Sequence, residues 1–205
     1  ARPQAAMAGS RCITSPTPLK LSYVNSFSAA FRGAQVTLVT GPVHLAPPLF
    51  AETVPVVSAR DMFEAVAARS GEQDIIIKAA AVADYTPAET ASEKVKKKDG
   101  DLSIPLKRTQ DILAWLGENR REGQFLCGFS METEHLLENS RAKLEKKHVD
   151  MIAANNLKTE GAGFGTDTNR ITLITRDGDT ELPLMTKEEA AHRILTEIAG
   201  RMAKQ

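Results

Sequence analysis

An aspartate and a run of lysines form the pattern in this sequence with the clearest chemical potential. Asp84 directly follows the apolar run 74–83, and four lysines follow it closely, at positions 94, 96, 97 and 98. A lysine is a mobile positive charge that suits phosphate, and a carboxylate binds metal ions or polar ligands. Two structural alternatives stay open. Asp84 could be a turn or helix-cap acid, and the lysines could form a solvated or edge-protecting loop.

A second pair of lysines, Lys143 and Lys147, lies in the charged segment 132–148, which has the pattern of a long helix. Residues four apart lie on the same face of a helix, so both ammonium groups can reach one ligand. The alternative is surface charge paired with Glu138 and Glu145, which is common on exposed helices.

Other motifs exclude several kinds of site. The glycine-rich stretch 161–169 precedes a strand rather than a helix, so it fails the dinucleotide fingerprint and is interpreted as a flexible loop. The four histidines lack metal-ligand spacing. Cys127 lies in an apolar strand and is expected in the core. Phe129, which we predict to end that strand, is either core or a stacking platform for a base.

Composition indicates one globular domain. The chain has 205 residues, 42% hydrophobic and 25% charged, with a net charge of zero. Neutral charge gives no general attraction to nucleic acid or an anionic membrane. No apolar run reaches the roughly 18 residues of a membrane span. Two distant cysteines form no disulfide framework, so we expect a reducing cytoplasm. The chain lacks a starting Met and a secretory pattern, which suits a processed or excised piece.

Short β-rich runs alternate with helical patterns along the chain. Capping boxes at Ser58–Asp61 and Thr186–Glu189 mark two helix starts. Further helices are predicted at 111–120 and 132–148. Strands are predicted at 34–40, 54–58, 101–109, 124–129, 149–155, 170–175 and 180–184, and the segment 74–83 begins as a β-branched strand. This order predicts an α/β fold with three αβα layers, a Rossmann-like, mostly parallel sheet and a hairpin at one edge.

Ligands of such sheets bind beyond the carboxyl ends of the strands. That rule selects four candidate loops, at residues 41–42, 83–85, 128–129 and 155–156.

Several segments in this order resemble one family. They are KAAAVADYTP, EKVKKK, TQDIL, CGFSMET, RAKLEKK, IAAN and GFGTDTN. Together they resemble bacterial phosphopantothenoylcysteine synthetase, the phosphopantothenate–cysteine ligase of coenzyme A biosynthesis. The resemblance runs from about Phe31 to the C-terminus, and the AAAVADY segment followed by the KVKK loop is its most specific part.

The resemblance implies a two-step ligase that uses CTP and Mg²⁺. The carboxylate of 4′-phosphopantothenate attacks the α-phosphate of CTP, which gives an acyl-cytidylate and pyrophosphate. L-Cysteine then displaces CMP and forms an amide. Positioning and charge neutralisation by lysines and a metal supply most of what this chemistry needs.

The resemblance also implies roles for particular residues. Four residues are expected to be catalytic: Asp84, Lys94, Arg11 and Ser15. Asp84 is also the expected metal ligand, and Arg11 and Ser15 lie in the region that is expected to bind the acyl substrate. The implied nucleotide-binding set is Lys78, Ala79, Ala80, Asp84, Lys94, Gln110, Asp111, Ile112, Leu113, Phe129, Lys143 and Lys147. The family further implies a homodimer, with residues 86–108 as lid loop and dimerisation segment, and fusion to or pairing with a flavin-dependent decarboxylase.

The first 30 residues depart from the family pattern. The opening strand is expected to be missing or altered, which would expose an edge of the sheet. Ser15 stands where the family has a functional Asn, and Leu19 and Ser22 replace glycines that approach an anion. Two further hypotheses follow. One is a CTP-binding module with impaired catalysis, and the other is a nicotinamide-dependent oxidoreductase, which the missing fingerprint disfavours.

Overall fold

The computed structural model describes residues 7–15, 20–96, 102–132, 134–156 and 166–204. Several predicted features lie wholly or partly outside these ranges, among them the lysines at 97 and 98, the residue at 19, residues 97–101 of the predicted lid segment 86–108, and residues 161–165 of the glycine-rich stretch.

In chain order the elements are β1 (Arg11–Ser15), α1 (Lys20–Phe31), β2 (Gln35–Thr40), β3 (Ala51–Pro55), α2 (Ala59–Ser70), β4 (Ile75–Lys78), β5 (Tyr85–Pro87), β6 (Leu106–Arg108), α3 (Ile112–Glu118), β7 (Phe125–Glu132), α4 (Leu136–Lys146), β8 (Met151–Asn156), β9 (Thr168–Asn169), β10 (Ile171–Thr175), β11 (Gly178–Glu181), β12 (Met185–Thr186) and α5 (Lys187–Met202).

Eight of these strands form one sheet in the order β11-β10-β8-β7-β4-β1-β2-β3. The six strands from β8 to β3 are parallel, and β10 and β11 add an antiparallel hairpin at one edge. The predicted fold class is therefore confirmed. Among the described residues, no helix has the length and apolar character that a bilayer crossing requires.

Helices cover both faces of the sheet. One buried cluster lies between the sheet and the α1 and α5 side, and includes Ile77, Cys127 and Ile194. The other lies toward α2, α3 and α4, and includes Ile76 and Leu116. Both predicted capping boxes are present, at the starts of α2 and α5, so these two helix starts were encoded locally.

The expectation of a missing opening strand is wrong. Residues 11–15 form β1, which lies between β2 and β4 in the middle of the sheet. Cys12 and Ile13 are fully buried there, and the Asp74 carboxylate accepts a hydrogen bond of 2.8 Å from the Arg11 backbone N–H. Because β1 is paired on both sides, the sheet has no exposed edge at this position.

Several other strand boundaries differ from the prediction. In the described part of the segment predicted at 101–109, only Leu106–Arg108 form a strand. Strand β3 lies three residues earlier than expected. Strand β7 continues to Glu132, which was predicted as the start of a helix, and α4 begins only at Leu136. The alternation of side chains across a strand places Ser130 and Glu132 on one face, where they find polar partners on α4. Those tertiary contacts favour strand over helix here.

Helix α1 buries polar side chains and exposes aromatic ones. Asn25, Ser26 and Ser28 are fully buried, whereas Phe27 and Phe31 are 42% and 73% exposed and stack on each other. Neither amide atom of the Asn25 side chain has a hydrogen-bond partner in the described part of the chain. A buried amide without partners costs free energy, so Asn25 lowers the stability of the fold.

Replacement of Asn25 by Leu should therefore stabilise the protein. The two side chains have similar volume, and the change removes the unpaired amide, so we expect the free energy of unfolding to rise by about 1–3 kcal/mol. Urea unfolding followed by circular dichroism measures this difference. A lower midpoint for Asn25→Leu would contradict the assignment of Asn25 as an unpaired buried amide.

Candidate functional site

The loop after β4 is fixed at both ends by side-chain hydrogen bonds. Lys78 Nζ donates to the Ala80 carbonyl at 2.5 Å, and Thr109 Oγ1 donates to the Ala83 carbonyl at 2.6 Å. The Thr109 backbone N–H also donates to the Asp84 carbonyl at 3.0 Å. These contacts hold Asp84 at the carboxyl end of a central parallel strand, where the ligand rule places a site.

The Asp84 carboxylate is exposed and makes no hydrogen bond or ion pair with any residue of the described ranges. No helix begins here, because strand β5 follows at once, so the helix-cap alternative is wrong. A free, exposed carboxylate suits Mg²⁺, which takes one or two carboxylates together with phosphate oxygens and water.

Lys143 on α4 and Lys147, which directly follows this helix, point to acids at the carboxyl ends of the sheet. Lys143 Nζ donates to Glu132 Oε1 at 2.7 Å and to Ser130 Oγ at 3.0 Å. Lys147 forms an ion pair with Asp111. The alternative pairing with Glu138 and Glu145 is therefore wrong.

Glu132 is held by three donors. Besides Lys143, Ser130 Oγ donates to its Oε1 at 2.9 Å and Asn139 Nδ2 donates to its Oε2 at 3.2 Å. Burial opposes ionisation of this carboxyl, but the hydrogen bonds from Lys143 and Ser130 outweigh it, so the pKa of Glu132 lies below its ordinary value. The lysine is thus anchored by an ionised partner.

Asp111 joins α3 to α4. Its Oδ1 accepts the Ala114 backbone N–H at 3.0 Å, which caps α3, while its Oδ2 accepts Lys147. A Cβ atom at Gly117 would lie 1.9 Å from the Lys147 carbonyl oxygen, so only glycine lets the helices approach this closely. Burial raises the pKa of Asp111, but the hydrogen bonds from Lys147 and Ala114 have the larger effect, so the pKa lies below its ordinary value.

The half-buried Lys78 side chain links these groups. Burial lowers its pKa, the negative charges of Asp111 and Asp84 raise it, and Lys143 and Lys147 lower it again. Six side chains thus interact electrostatically beyond the strand ends. We call them the charge network: Lys78, Asp84, Asp111, Glu132, Lys143 and Lys147.

Some predicted site residues contribute at most backbone atoms. Ile112 is buried in the core, and Leu113 packs in the core against Gly128, where a Cβ would lie 2.7 Å from Leu113 Cδ2. Ala79 and Ala80 are also buried. These four placements agree with contact through main-chain groups only, whereas the Gln110 side chain is exposed.

We predicted that Phe129 ends its strand, but β7 continues three residues further. Its side chain packs in the cluster with Cys127, on the opposite face of the sheet from Ser130 and Lys143. The structure therefore does not bring Phe129 beside the lysines. Cys127 is a core residue, as predicted, and burial raises the pKa of its thiol strongly.

The structure separates the two predicted residues of β1. Ser15 pairs with Lys78 at the carboxyl end of the sheet. Arg11 lies at the opposite end, where it forms an ion pair with Glu72. At about 3.3 Å per residue, a five-residue strand keeps them more than 10 Å apart. The expectation that Arg11 shares the site is therefore wrong.

Lys94 is exposed and contacts none of the charge network.

An uncharged cavity of about 430 Å³ lies beside the same loop. Its lining comes from the ends of β2 and β3, the start of α2 and residues 80–83, with Tyr85 and Thr109. No lining side chain is charged. The loop 79–84 thus contributes to both a charged and a neutral region, which suits a substrate with anionic and neutral parts.

Sequence reasoning missed three residues of this site. Thr109 anchors the Asp84 loop, and Ser130 and Glu132 hold Lys143. Continued strand alternation past Gly128 would have placed the last two on one face.

Comparison with known proteins identifies the family. The family described as DNA/pantothenate metabolism flavoprotein C-terminal domain matches residues 7–202. The chain belongs to this family.

Similarity to individual proteins supports the same family assignment. The coenzyme A biosynthesis bifunctional protein CoaBC of Bacillus subtilis is 46% identical over 197 residues, which cover 95% of this chain and 48% of that protein. The chain thus spans about half the length of the curated relatives it matches. A crystal structure of a CoaBC C-terminal domain superposes with a TM-score of 0.82 at 35% identity, covering 98% of this chain and all of that one.

A more distant structure shares the fold. A Cab2 mutant in complex with phosphopantothenate-cysteine matches with a TM-score of 0.77 at 13% identity, covering 95% of this chain and 87% of that one.

The half-buried position of the Lys78 side chain predicts an effect on the free energy of unfolding. Folding lowers the pKa of this amine, so its ammonium form destabilises the fold below that pKa, and the penalty disappears as pH rises toward 10.5. Lys78→Met should raise the free energy of unfolding by about 1 kcal/mol at pH 7, and the gain should shrink by pH 10. Urea unfolding at both values measures it.

Lys146→Met, an exposed change on α4, is the matched control and should have no comparable effect. A Lys78→Met protein less stable than the wild type at pH 7 would show that the bond to Ala80 outweighs the burial penalty.

Proposed function

We propose that this chain is a phosphopantothenate–cysteine ligase domain of coenzyme A biosynthesis that uses CTP. The observation that carries the proposal is the convergence of Lys78, Lys143 and Lys147 beside Asp84 at the carboxyl ends of the parallel strands. Family membership and the bifunctional CoaBC relatives support the same reaction. The bound phosphopantothenate-cysteine of the Cab2 structure adds support at the level of the fold.

In the first step the phosphopantothenate carboxylate attacks the α-phosphorus of CTP. A P–O bond to the acyl group forms, the bond to the β-phosphate oxygen breaks, and pyrophosphate leaves. Lys143 and Lys147 bind the phosphate oxygens, because α4 carries one charge and ends at the other, and their spacing lets both reach one ligand. Fixed positive charge next to the departing pyrophosphate stabilises the transition state.

In the second step the cysteine amine attacks the acyl carbon. A C–N bond forms, the bond to the phosphate oxygen of CMP breaks, and the amine loses a proton. The loop 79–84, anchored by Lys78 and Thr109, supplies main-chain groups that orient the intermediate. The neutral cavity beside it would take an uncharged part of a substrate.

Asp84 is the residue that we propose to hold Mg²⁺. Its carboxylate is exposed, free of partners in the described ranges and electrostatically coupled to Lys78. When bound with CTP, Mg²⁺ neutralises triphosphate charge and polarises the phosphate under attack.

The proposal is tested by mixing the protein with CTP, Mg²⁺ and 4′-phosphopantothenate before cysteine is added. We expect stoichiometric pyrophosphate release, followed by CMP release on addition of L-cysteine. A folded protein that binds CTP but releases no pyrophosphate supports the second candidate, a CTP-binding module with impaired catalysis. The position of Arg11 far from the site favours that candidate. A folded protein that does not bind CTP would exclude both.

Lys94 is proposed to close over the nucleotide from its exposed loop. Lys94→Gln removes the charge and leaves the packing unchanged, because the side chain is exposed. We expect the rate of the first step to fall by roughly tenfold to a hundredfold with little change in thermal stability. Rapid-quench measurement of pyrophosphate gives that rate. Lys96→Gln, in the same loop, is the matched control, and an unchanged rate for Lys94→Gln would refute its role.

A homodimer is proposed through the ribbon of β5 and β6. Strands β5 and β6 pair in a separate two-stranded sheet. Leu106, at the start of β6, is 58% exposed, and Leu102 and Ile104 in the segment before it are 77% and 62% exposed. A row of exposed apolar side chains that leads into the ribbon suits burial against a second copy.

Leu106→Lys should therefore shift the protein from dimer to monomer, because it places a charge in the proposed apolar contact. Sedimentation velocity distinguishes the two states. Leu184→Lys, at an exposed leucine outside the ribbon, is the control and should leave the dimer intact. A dimer that survives Leu106→Lys unchanged would locate the interface elsewhere.

The remaining proposals follow from the family. Fusion to or pairing with a flavin-dependent decarboxylase fits the bifunctional relatives, which are about twice as long as this chain. A cytoplasmic location fits coenzyme A biosynthesis.

A further inference from the structure

The charge network is electrically balanced. Three ammonium groups, on Lys78, Lys143 and Lys147, face three carboxylates, on Asp84, Asp111 and Glu132. Lys143 and Lys147 are each paired directly with one of these acids, Glu132 and Asp111 respectively. Binding of a free polyphosphate needs surplus positive charge, and the six groups of this network supply none without the additional charge of Lys94.

We infer that Glu132 and Asp111 are specificity-determining residues that make triphosphate binding depend on a divalent cation. They cancel the charge of Lys143 and Lys147, so a metal-free triphosphate meets no net attraction, whereas the cation of a metal complex is attracted to the free carboxylate of Asp84. The inference rests on the proposed function only for the identity of the triphosphate as CTP.

Geometry favours this role over a purely structural one. Glu132 Oε1 receives Lys143 and Ser130, so the carboxylate lies on the same side of the ammonium as the sheet. The Lys143 side chain remains 44% exposed, which leaves donor capacity for a ligand. Phosphate can therefore bind Lys143 while Glu132 stays in place and repels it.

The size of the repulsion scales with the charge of the ligand. Metal-free CTP carries about four negative charges, and its Mg²⁺ complex carries about two, so one nearby carboxylate disfavours the free form about twice as strongly in free energy. Removal of that carboxylate should therefore reduce the difference in binding affinity between metal-free CTP and its Mg²⁺ complex.

Glu132→Gln tests this, because the amide keeps the size of the side chain and can still accept from Lys143. Calorimetric titration with CTP is done in excess EDTA and again in excess Mg²⁺. We expect the affinity for metal-free CTP to rise about tenfold and that for Mg–CTP by no more than about threefold. The gain should shrink in high salt. Asp111→Asn, which retains a helix-capping side chain, should change affinity in the same direction.

Glu145→Gln is the matched control. Glu145 is exposed on α4, two residues after Lys143, and thus lies about 200° around the helix from it. Loss of its charge should leave the affinities for metal-free CTP and for Mg–CTP unchanged. An equal gain for Glu145→Gln would mean that only the general charge of α4 matters, and would overturn the inference.

Inorganic tripolyphosphate separates this inference from the proposed function. It carries the charge but not the cytidine, so Glu132→Gln should strengthen its metal-free binding even if CTP is the wrong nucleotide. Unchanged or weaker binding of metal-free tripolyphosphate to Glu132→Gln overturns the charge-balance role. Wild-type protein that binds Mg-tripolyphosphate but not Mg–CTP leaves the inference standing and overturns the proposed use of CTP.

Discussion

The parallel pairing of β4 with β1 and β7 is the constraint on which the site depends. Lys78 at the end of β4 lies opposite Ser15 on one side and Gly128 on the other. This register brings the end of β4 level with its neighbours, so the loop carrying Asp84 lies beside the extension of β7 that carries Glu132, which stays paired with β8. Gly128 has no side chain, which lets Leu113 pack closely and brings the start of α3 to that edge.

Charge compensation is the second organising feature. Lysines placed beside one another repel, and partial burial raises the cost of each ammonium group. The fold offsets this by placing Glu132 beside Lys143 and Asp111 beside Lys147. Lys78 remains the least compensated, with a lowered pKa, which is typical of functional sites where stability is given up for chemistry.

The sequence predicted much of the fold because its signals are local. Alternating strand and helix patterns predicted the layered parallel sheet, and the capping boxes at Ser58 and Thr186 marked helix starts that the structure confirms. It failed where a long-range partner decides the conformation. Residues 11–15 carry no strong strand signal, yet two neighbouring strands and the Asp74 carboxylate hold them as β1.

For the site, the sequence by itself determined which residue types are present and how they are spaced: Asp84 after a buried strand, and Lys143 and Lys147 one helical turn apart. Only the tertiary structure decided their partners. Glu132 and Asp111 meet these lysines from elements 11 and 36 positions away along the chain. Strand register and helix packing set those contacts, and neither is encoded in local periodicity. The geometry of the strand likewise places Arg11 far from the site, because the first and last residues of an extended strand lie at its two opposite ends.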